Sequence, residues 1–246
     1  MRTLRSLRKM VTLACLIGIA APTFARAQRS TTAAAPAQEV RFAAAIQAFL
    51  DNDKTAPPPK EGVLFIGSSI FRQWTTVVED MAPLPAFNRA FGGSRTWEIN
   101  AHMDRIVLPY KPRIIVYYCG SNDVNAYESA DAIFGRFRQF QIRVARALPD
   151  TRVFFFAIHR SPDKRDRWDV VDEANAKIKQ HAYATKNLDY IESNTVLFDA
   201  NDEPLTALYR DDGLHFNPPA YAEFTRLIRP VLERAWQGMK DPMTTD

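Results

Sequence analysis

Two apolar runs, IIVYYC at 114–119 and VFFFAI at 153–158, set the strongest limit on the fold. Each is continuous, with no polar residue at alternate positions, and each is rich in β-branched or aromatic side chains. A strand with one solvated face alternates. A strand that reads as apolar throughout is covered on both faces, as in a parallel sheet. Three further runs, at 63–66, 86–91 and 188–192, bring the set to five, spaced by roughly 25–40 residues. Helix-like stretches such as ESADAIFGRFRQFQIRVARAL and RWDVVDEANAKIKQHAYATK lie between them. Strand alternating with helix predicts a parallel sheet covered on both sides. EVRFAAAIQAFLDND reads as a short amphipathic helix, ended by the prolines of TAPPPK. No internal repeat and no second domain is evident.

The N-terminal stretch belongs to targeting and not to the fold. Arg2, Arg5, Arg8 and Lys9 precede an apolar run at 10–21 that is short for a membrane span, and Ala25-Arg26-Ala27 follows as a small-x-small cleavage site. This predicts a signal peptide over residues 1–27, a flexible linker over 28–38 and one domain over 39–246, in an exported chain that is periplasmic or secreted in a bacterium. An uncleaved N-terminal anchor is the alternative. The formal charge of +4 falls to −1 once the five basic residues of 1–27 are set aside, Arg26 among them. The basic balance therefore reflects targeting and argues against a nucleic-acid partner. Cys15 leaves with the leader. Cys119 then stands alone in an apolar run, as an inert buried thiol.

Parallel sheets of this kind bind ligands at the carboxyl ends of their strands. The residues there are small and polar: Gly67-Ser68-Ser69 after the first run, Gly92-Gly93-Ser94 after the second, Gly120-Ser121-Asn122-Asp123 after the third, His159-Arg160-Ser161 after the fourth. The stretch YRDDGLHFNPPAYAEF follows the fifth and leads into a last helix, with Asn217 as its expected cap. Acyl transfer through serine needs a hydroxyl, a base, a carboxylate that orients the base, and donors for the oxyanion. Ser69 offers the hydroxyl where a strand ends and a helix begins. His215 offers the base, and Asp212 stands three residues before it across Gly213, which permits a tight turn. The N–H groups of Ser69 and Gly93 and the side-chain amide of Asn122 offer the oxyanion donors. Singly, each fragment has a blander reading. Ser68 and Ser69 also suit helix capping, and D-x-x-H also suits a surface loop. A metal clip of Asp211, Asp212 and His215 lacks further clustered ligands.

The ordered set resembles the SGNH, or GDSL-type, hydrolase superfamily. FIGSSI is similar to its first block, placing the nucleophile on Ser69. NRAFGGS is similar to the second, with the oxyanion glycine on Gly93. GSND is similar to the third, with Asn122 as amide donor, and DGLH to the last, with Asp212 and His215 as triad members. The resemblance covers nearly the whole mature chain. It implies a three-layer α/β/α sandwich with a five-stranded, flavodoxin-like parallel sheet. PPPKEGVLFIGSSIFRQW is closest to the bacterial branch in which Gly-Ser-Ser replaces Gly-Asp-Ser, so that Ser68 stands where the family's usual aspartate would be. No G-x-S-x-G elbow, no G-x-G-x-x-G and no Walker A sequence is present.

The resulting expectation is metal-independent ester hydrolysis through an acyl-enzyme, with no cofactor, on acetyl or other short-chain esters that include those of carbohydrates. Lysophospholipase, thioesterase or acyltransferase activity on the same triad is the alternative, and a catalytically silent carbohydrate-binding protein is the rival from another class. Trp74, Trp97, Trp168, Tyr127 and Arg160 are candidate wall residues, with core burial the commoner fate of each tryptophan. HRSPDKRDRW is a basic loop that would either meet an anionic substrate or stay solvated. His102, His159 and His181 read as structural.

Overall fold

A computed structural model describes residues 39–240. The expected leader and linker lie outside the described residues. Five strands, β1 (Val63–Gly67), β2 (Ala86–Asn88), β3 (Ile114–Tyr118), β4 (Arg152–Phe156) and β5 (Leu188–Ile191), form one all-parallel sheet in the order β2-β1-β3-β4-β5. The register runs Val63 to Ile114 across β1 and β3, and Val153 to Leu188 across β4 and β5. The helices are α1 (Ala43–Asp53), α2 (Ser69–Arg72), α3 (Val77–Asp80), α4 (Thr96–Ile106), α5 (Ser121–Asn125), α6 (Ala130–Ala147), α7 (Trp168–Tyr183) and α8 (Pro218–Lys240). This is the three-layer, five-stranded architecture that the resemblance implied.

The unbroken apolar runs follow from burial on both faces. Leu64, Ile66, Ile115, Tyr117, Val153 and Phe155 point into one core, and Val63, Phe65, Ile114, Val116, Tyr118, Phe154 and Phe156 into the other. Helices α1, α4, α6 and α7 close the first core. Along α6, Ile133, Phe137, Phe140 and Val144 recur at helical spacing on the buried stripe, and the Ser129 hydroxyl caps the helix by accepting from Ala132 N at 3.2 Å. Helices α2, α3 and α8 close the second, where Tyr221, Phe224, Ile228 and Leu232 of α8 lie on the sheet. Each fully buried Phe contributes about 1.5–3 kcal/mol of transfer free energy.

Strand β2 is shorter than its apolar run. It ends at Asn88, whose side chain turns to donate to Phe71 O and to accept from Ala90 N. The chain nevertheless keeps to β1: Arg89 N donates to Phe65 O and Phe91 N to Gly67 O, both at 2.9 Å. Those two bonds carry residues 92–94 to the end of β1. Asn217 does not point its amide forward into α8. Nδ2 donates backward to Tyr209 O at 2.7 Å and Ala207 O at 3.2 Å, while its backbone carbonyl accepts from Ala220 N.

Candidate active site

The loop that carries Ser69 is shaped by Gly67. Its φ is +152°, and a Cβ there would sit 1.9 Å from Tyr118 O. Only glycine lets the ends of β1 and β3 approach this closely. The next residue, Ser68, donates its N–H to Tyr118 O at 3.1 Å and is buried in extended backbone. Its hydroxyl has no hydrogen-bond partner among the described residues and does not cap α2. Ser69 then opens α2, half-buried, with its hydroxyl free of capping duty and turned to His215.

His215 is delivered by a small closed loop between β5 and α8. Tyr209 and Phe216 pair as an antiparallel bridge, Arg210 N donates to His215 O at 2.7 Å, and Asn217 N donates to Leu208 O at 2.8 Å. Gly213 takes a left-handed φ of +62° inside the loop, the tight turn expected of it. Asp212 folds back so that Oδ1 accepts from Leu214 N (3.0 Å) and His215 N (2.8 Å), and Oδ2 lies 2.6 Å from His215 Nδ1. An ionised carboxylate is acceptor-only, so Nδ1 carries the proton and Nε2 is left as acceptor for the Ser69 hydroxyl, 3.0 Å away. Burial pushes the Asp212 carboxyl up, but the three donated hydrogen bonds from His215 and Leu214 outweigh it and hold it at about 2. The carboxylate is therefore charged throughout the neutral range. The structure thus joins the three expected triad residues in one hydrogen-bonded chain.

The other two expected residues meet through Ser94. Gly93 has φ +80°, and Gly92 is pressed against Arg72, whose Nε would lie 2.5 Å from an added Cβ. The Asn122 amide donates to Ser94 O at 3.0 Å, and the Cys119 thiol donates to the same oxygen at 3.3 Å. The Ser94 hydroxyl donates to Gly67 O at 3.2 Å. Ser94 thereby ties the ends of β1, β3 and the β2 extension, and brings the Gly93 loop and Asn122 beside the Ser69 loop. A side-chain amide has two N–H donors, so one remains on Asn122. Beside it, Asp123 is fully buried and accepts from Thr96 N, Thr96 Oγ1 and Arg136, docking the start of α4 onto α5. Sequence reasoning assigned no role to Ser94 or Asp123, although both lie inside motifs it singled out. Cys119 is buried, and burial drives its thiol well above the ordinary range, as expected of an inert cysteine.

The candidate wall residues divide. Trp74 is core, packed edge-on and at a tilt among Phe65, Phe71, Tyr221 and Phe224, with its indole N–H on Asp80 at 2.6 Å. Trp168 is half-buried and donates to Ser161 O. Trp97 is half-buried one turn beyond Gly93, and Tyr127 is 80% exposed, with Arg167 lying 4.9 Å from its ring centre. The basic loop keeps its charges for itself. Arg160 pairs with Asp202 and stacks on Phe198, Arg165 pairs with Glu203 at 2.5 Å, and Lys164 is buried against Asp163 and Ser161. Arg160, Lys164 and Arg165 are thus each paired with a carboxylate of the protein itself.

His159, next to the Arg160 cluster, is fully buried. Its ring stacks on Phe224, and Nε2 lies 3.0 Å from Ser193 Oγ. Burial first, and the Lys164 charge second, hold it down to about 3, so it stays neutral. His102 packs edge-on to Phe91, and His181 lies 3.4 Å from Thr185 Oγ1, so neither reaches the triad. Among the described residues no group of three or more His, Cys, Asp or Glu is disposed to hold a metal ion, and no helix is long and apolar enough to cross a membrane.

The GDSL-like lipase/acylhydrolase family model matches residues 65–223. No curated protein matches the chain. Solved structures do. A GDSL-like lipase from Bacteroides thetaiotaomicron aligns with TM-score 0.63 at 21% identity, over 80% of this chain and 98% of that one. A carbohydrate esterase of family 3 from Talaromyces cellulolyticus gives 0.57 at 20%, over 73% and 98%. A mutant of an acetyl-xylooligosaccharide esterase from Geobacillus gives 0.57 at 16%, over 69% and 93%. At these identities the structural likeness speaks for the fold. With the family model spanning Ser69, Gly93, Asn122, Asp212 and His215, this chain belongs to the GDSL-like lipase/acylhydrolase family and is a carboxylic ester hydrolase.

Proposed function

We propose that the chain hydrolyses short-chain esters, acetyl groups on carbohydrates foremost, through an acyl-enzyme on Ser69. The observation that carries this reading is the unbroken run of hydrogen bonds from Ser69 Oγ through the His215 ring to Asp212. His215 Nε2 takes the hydroxyl proton as Ser69 Oγ bonds to the acyl carbon. The carbonyl electron pair moves onto oxygen, which the N–H groups of Ser69 and Gly93 and the Asn122 amide receive. Collapse of that adduct expels the alcohol, protonated by the imidazolium. Water then enters by the same route, with His215 as base, and releases the acid. Asp212 keeps the ring in the Nδ1–H form and balances the imidazolium charge. Each oxyanion donor supplies about 3–4 kcal/mol to the transition state.

The acetyl and carbohydrate parts of the reading draw on the names of two structural neighbours and on Trp97, half-buried in the first turn of α4, and Tyr127, exposed just after α5. Acetylated sugars, aryl esters of graded chain length and lysolipids, assayed side by side, test it. The expected order of kcat/KM puts acetyl esters first, and a lysolipid preference sinks the substrate class. Full turnover by Ser69→Ala sinks the mechanism. Export belongs to the same proposal: the mature protein recovered outside the cytoplasm begins at Gln28, and an intact Met1 terminus on that material rejects it.

A further inference from the structure

The family match begins at residue 65, yet the oxyanion loop is gripped by a residue that precedes it. The 3-10 turn Glu39–Phe42 leads into α1 and lies on the first core. Phe42 is buried edge-on to Phe91 with ring centres 4.8 Å apart, and Ile46 is fully buried one turn later. This packing fixes Arg41 over the loop that follows β2. The Arg41 guanidinium lies 4.6 Å from the Phe42 ring centre. One terminal nitrogen donates to Gly93 O at 3.0 Å, and the other lies 3.7 Å from Glu98 Oε1.

Glu98 makes that second contact matter. Its side chain is 1% exposed. Oε2 accepts from Arg95 N at 2.7 Å, but Oε1 has no hydrogen-bond partner among the described residues. A buried carboxylate oxygen without a donor is costly unless a cation stands beside it. Arg41 therefore bridges Gly93 and the first turn of α4, one residue group on each side of Ser94. Gly93 needs such a hold. Two successive glycines rotate more freely than any other pair, and Gly93 sits at φ +80°. An oxyanion donor acts because it is already in place when charge develops.

We propose that Arg41 is a positioning residue for the oxyanion loop, fixing the Gly93 backbone from outside through its carbonyl. This rests on the reading of Gly93 as an oxyanion donor. Arg41→Met keeps the apolar stem over Phe42 and removes both polar contacts. It should lower kcat about 10-fold, part of the 10²–10³ that deleting a whole donor costs, with KM within about twofold. The loss should be equal at every pH, because neither contact that Arg41 makes touches His215 or Asp212. A fluorophosphonate reports the same hole without acyl chemistry. Ser69 Oγ displaces fluoride from phosphorus, its proton passes to His215, and charge gathers on the phosphoryl oxygen. Its labelling rate should fall by the same factor.

Arg41→Lys, with one ammonium in place of two separate guanidinium nitrogens, should fall between Met and wild type, and it carries the test if the Met variant does not fold. A kcat within twofold of wild type in the folded variants overturns the proposal. So does a loss of kcat with unchanged labelling, or a shifted pH profile, which would place the effect on the triad. If Ser69→Ala remains active the underlying reading fails. If Ser69→Ala is dead and Arg41→Met behaves as wild type, the nucleophile stands and the hold of Arg41 on the Gly93 loop is what fails.

Discussion

His215 Nε2 lies 3.0 Å from the hydroxyl of Ser69, a residue 146 positions earlier in the chain. The contact is made by two short loops at the same edge of the sheet, each braced by backbone bonds of its own. Because both loops are held independently of the pair, removing the hydroxyl leaves the site standing. Ser69→Ala should therefore lower kcat by on the order of 10⁶, in line with loss of a nucleophile that acts as a unit with its base. Circular dichroism and the unfolding midpoint should stay at wild-type values. Fluorophosphonate labelling of wild type but not of the variant locates the reactive hydroxyl.

Asp212 offers a separate test, because in the proposed mechanism it orients His215 and does not react. Asp212→Asn keeps the shape of the turn but no longer dictates Nδ1–H, so kcat should drop by about 10⁴ with little change in KM. The carboxylate also has a stability signature. Its pKa falls from 3.8 unfolded to about 2 folded, burial opposing and the His215 and Leu214 bonds prevailing. A depressed acid stabilises the fold above its unfolded value and loses that contribution as pH falls toward its folded value. The wild-type advantage over Asp212→Asn should be constant above about pH 4 and shrink toward pH 2, read by denaturant titration. The side chain is 49% exposed, so the effect is small.

Asn122 separates transition-state binding from substrate binding. Asn122→Ala removes both the donor proposed for the oxyanion and the bond to Ser94 O, which keeps the Cys119 thiol as a partner. The expected loss is about 10²–10³ in kcat with KM nearly unchanged. An equal rise in KM at constant kcat would instead make Asn122 a ground-state contact.

Much of this molecule was legible before its structure. The runs 114–119 and 153–158 suit doubly buried strands, and Ile115, Tyr117, Phe155 and Phe156 are all fully buried. The positions of Ser69, Asp212 and His215 followed from spacing and from the family resemblance together. What stayed hidden depends on tertiary placement. Lys164 sits in PDKRDR and reads as solvated, yet it is 2% exposed because the loop after β4 folds under residues 212–215, with Asp163 N donating to Gly213 O. Ser94 acts largely through its backbone carbonyl, which no side-chain pattern reports. Arg41 lies far from any motif, and its contact with Gly93 spans 52 residues. The shortened β2 reflects the competing side-chain bonds of Asn88, which an apolar run does not reveal.

His159 gives a second expected effect of pH on stability. It is fully buried, and burial with the Lys164 charge holds it down to about 3 against 6.5 in the unfolded chain. The folded state stays neutral there while the unfolded state takes up a proton. Stability should fall by about 1.4 kcal/mol per pH unit below 6.5, levelling near 3. His159→Phe is the variant that isolates this. The ring keeps its place against Phe224, and the Ser193 hydroxyl retains its bond to Ala157 O at 3.2 Å. Urea unfolding between pH 4.5 and 7.5 should show a steep slope for wild type and a flattened one for His159→Phe. Equal slopes would mean that His159 is protonated in the folded protein, and that the stack on Phe224 accommodates an imidazolium.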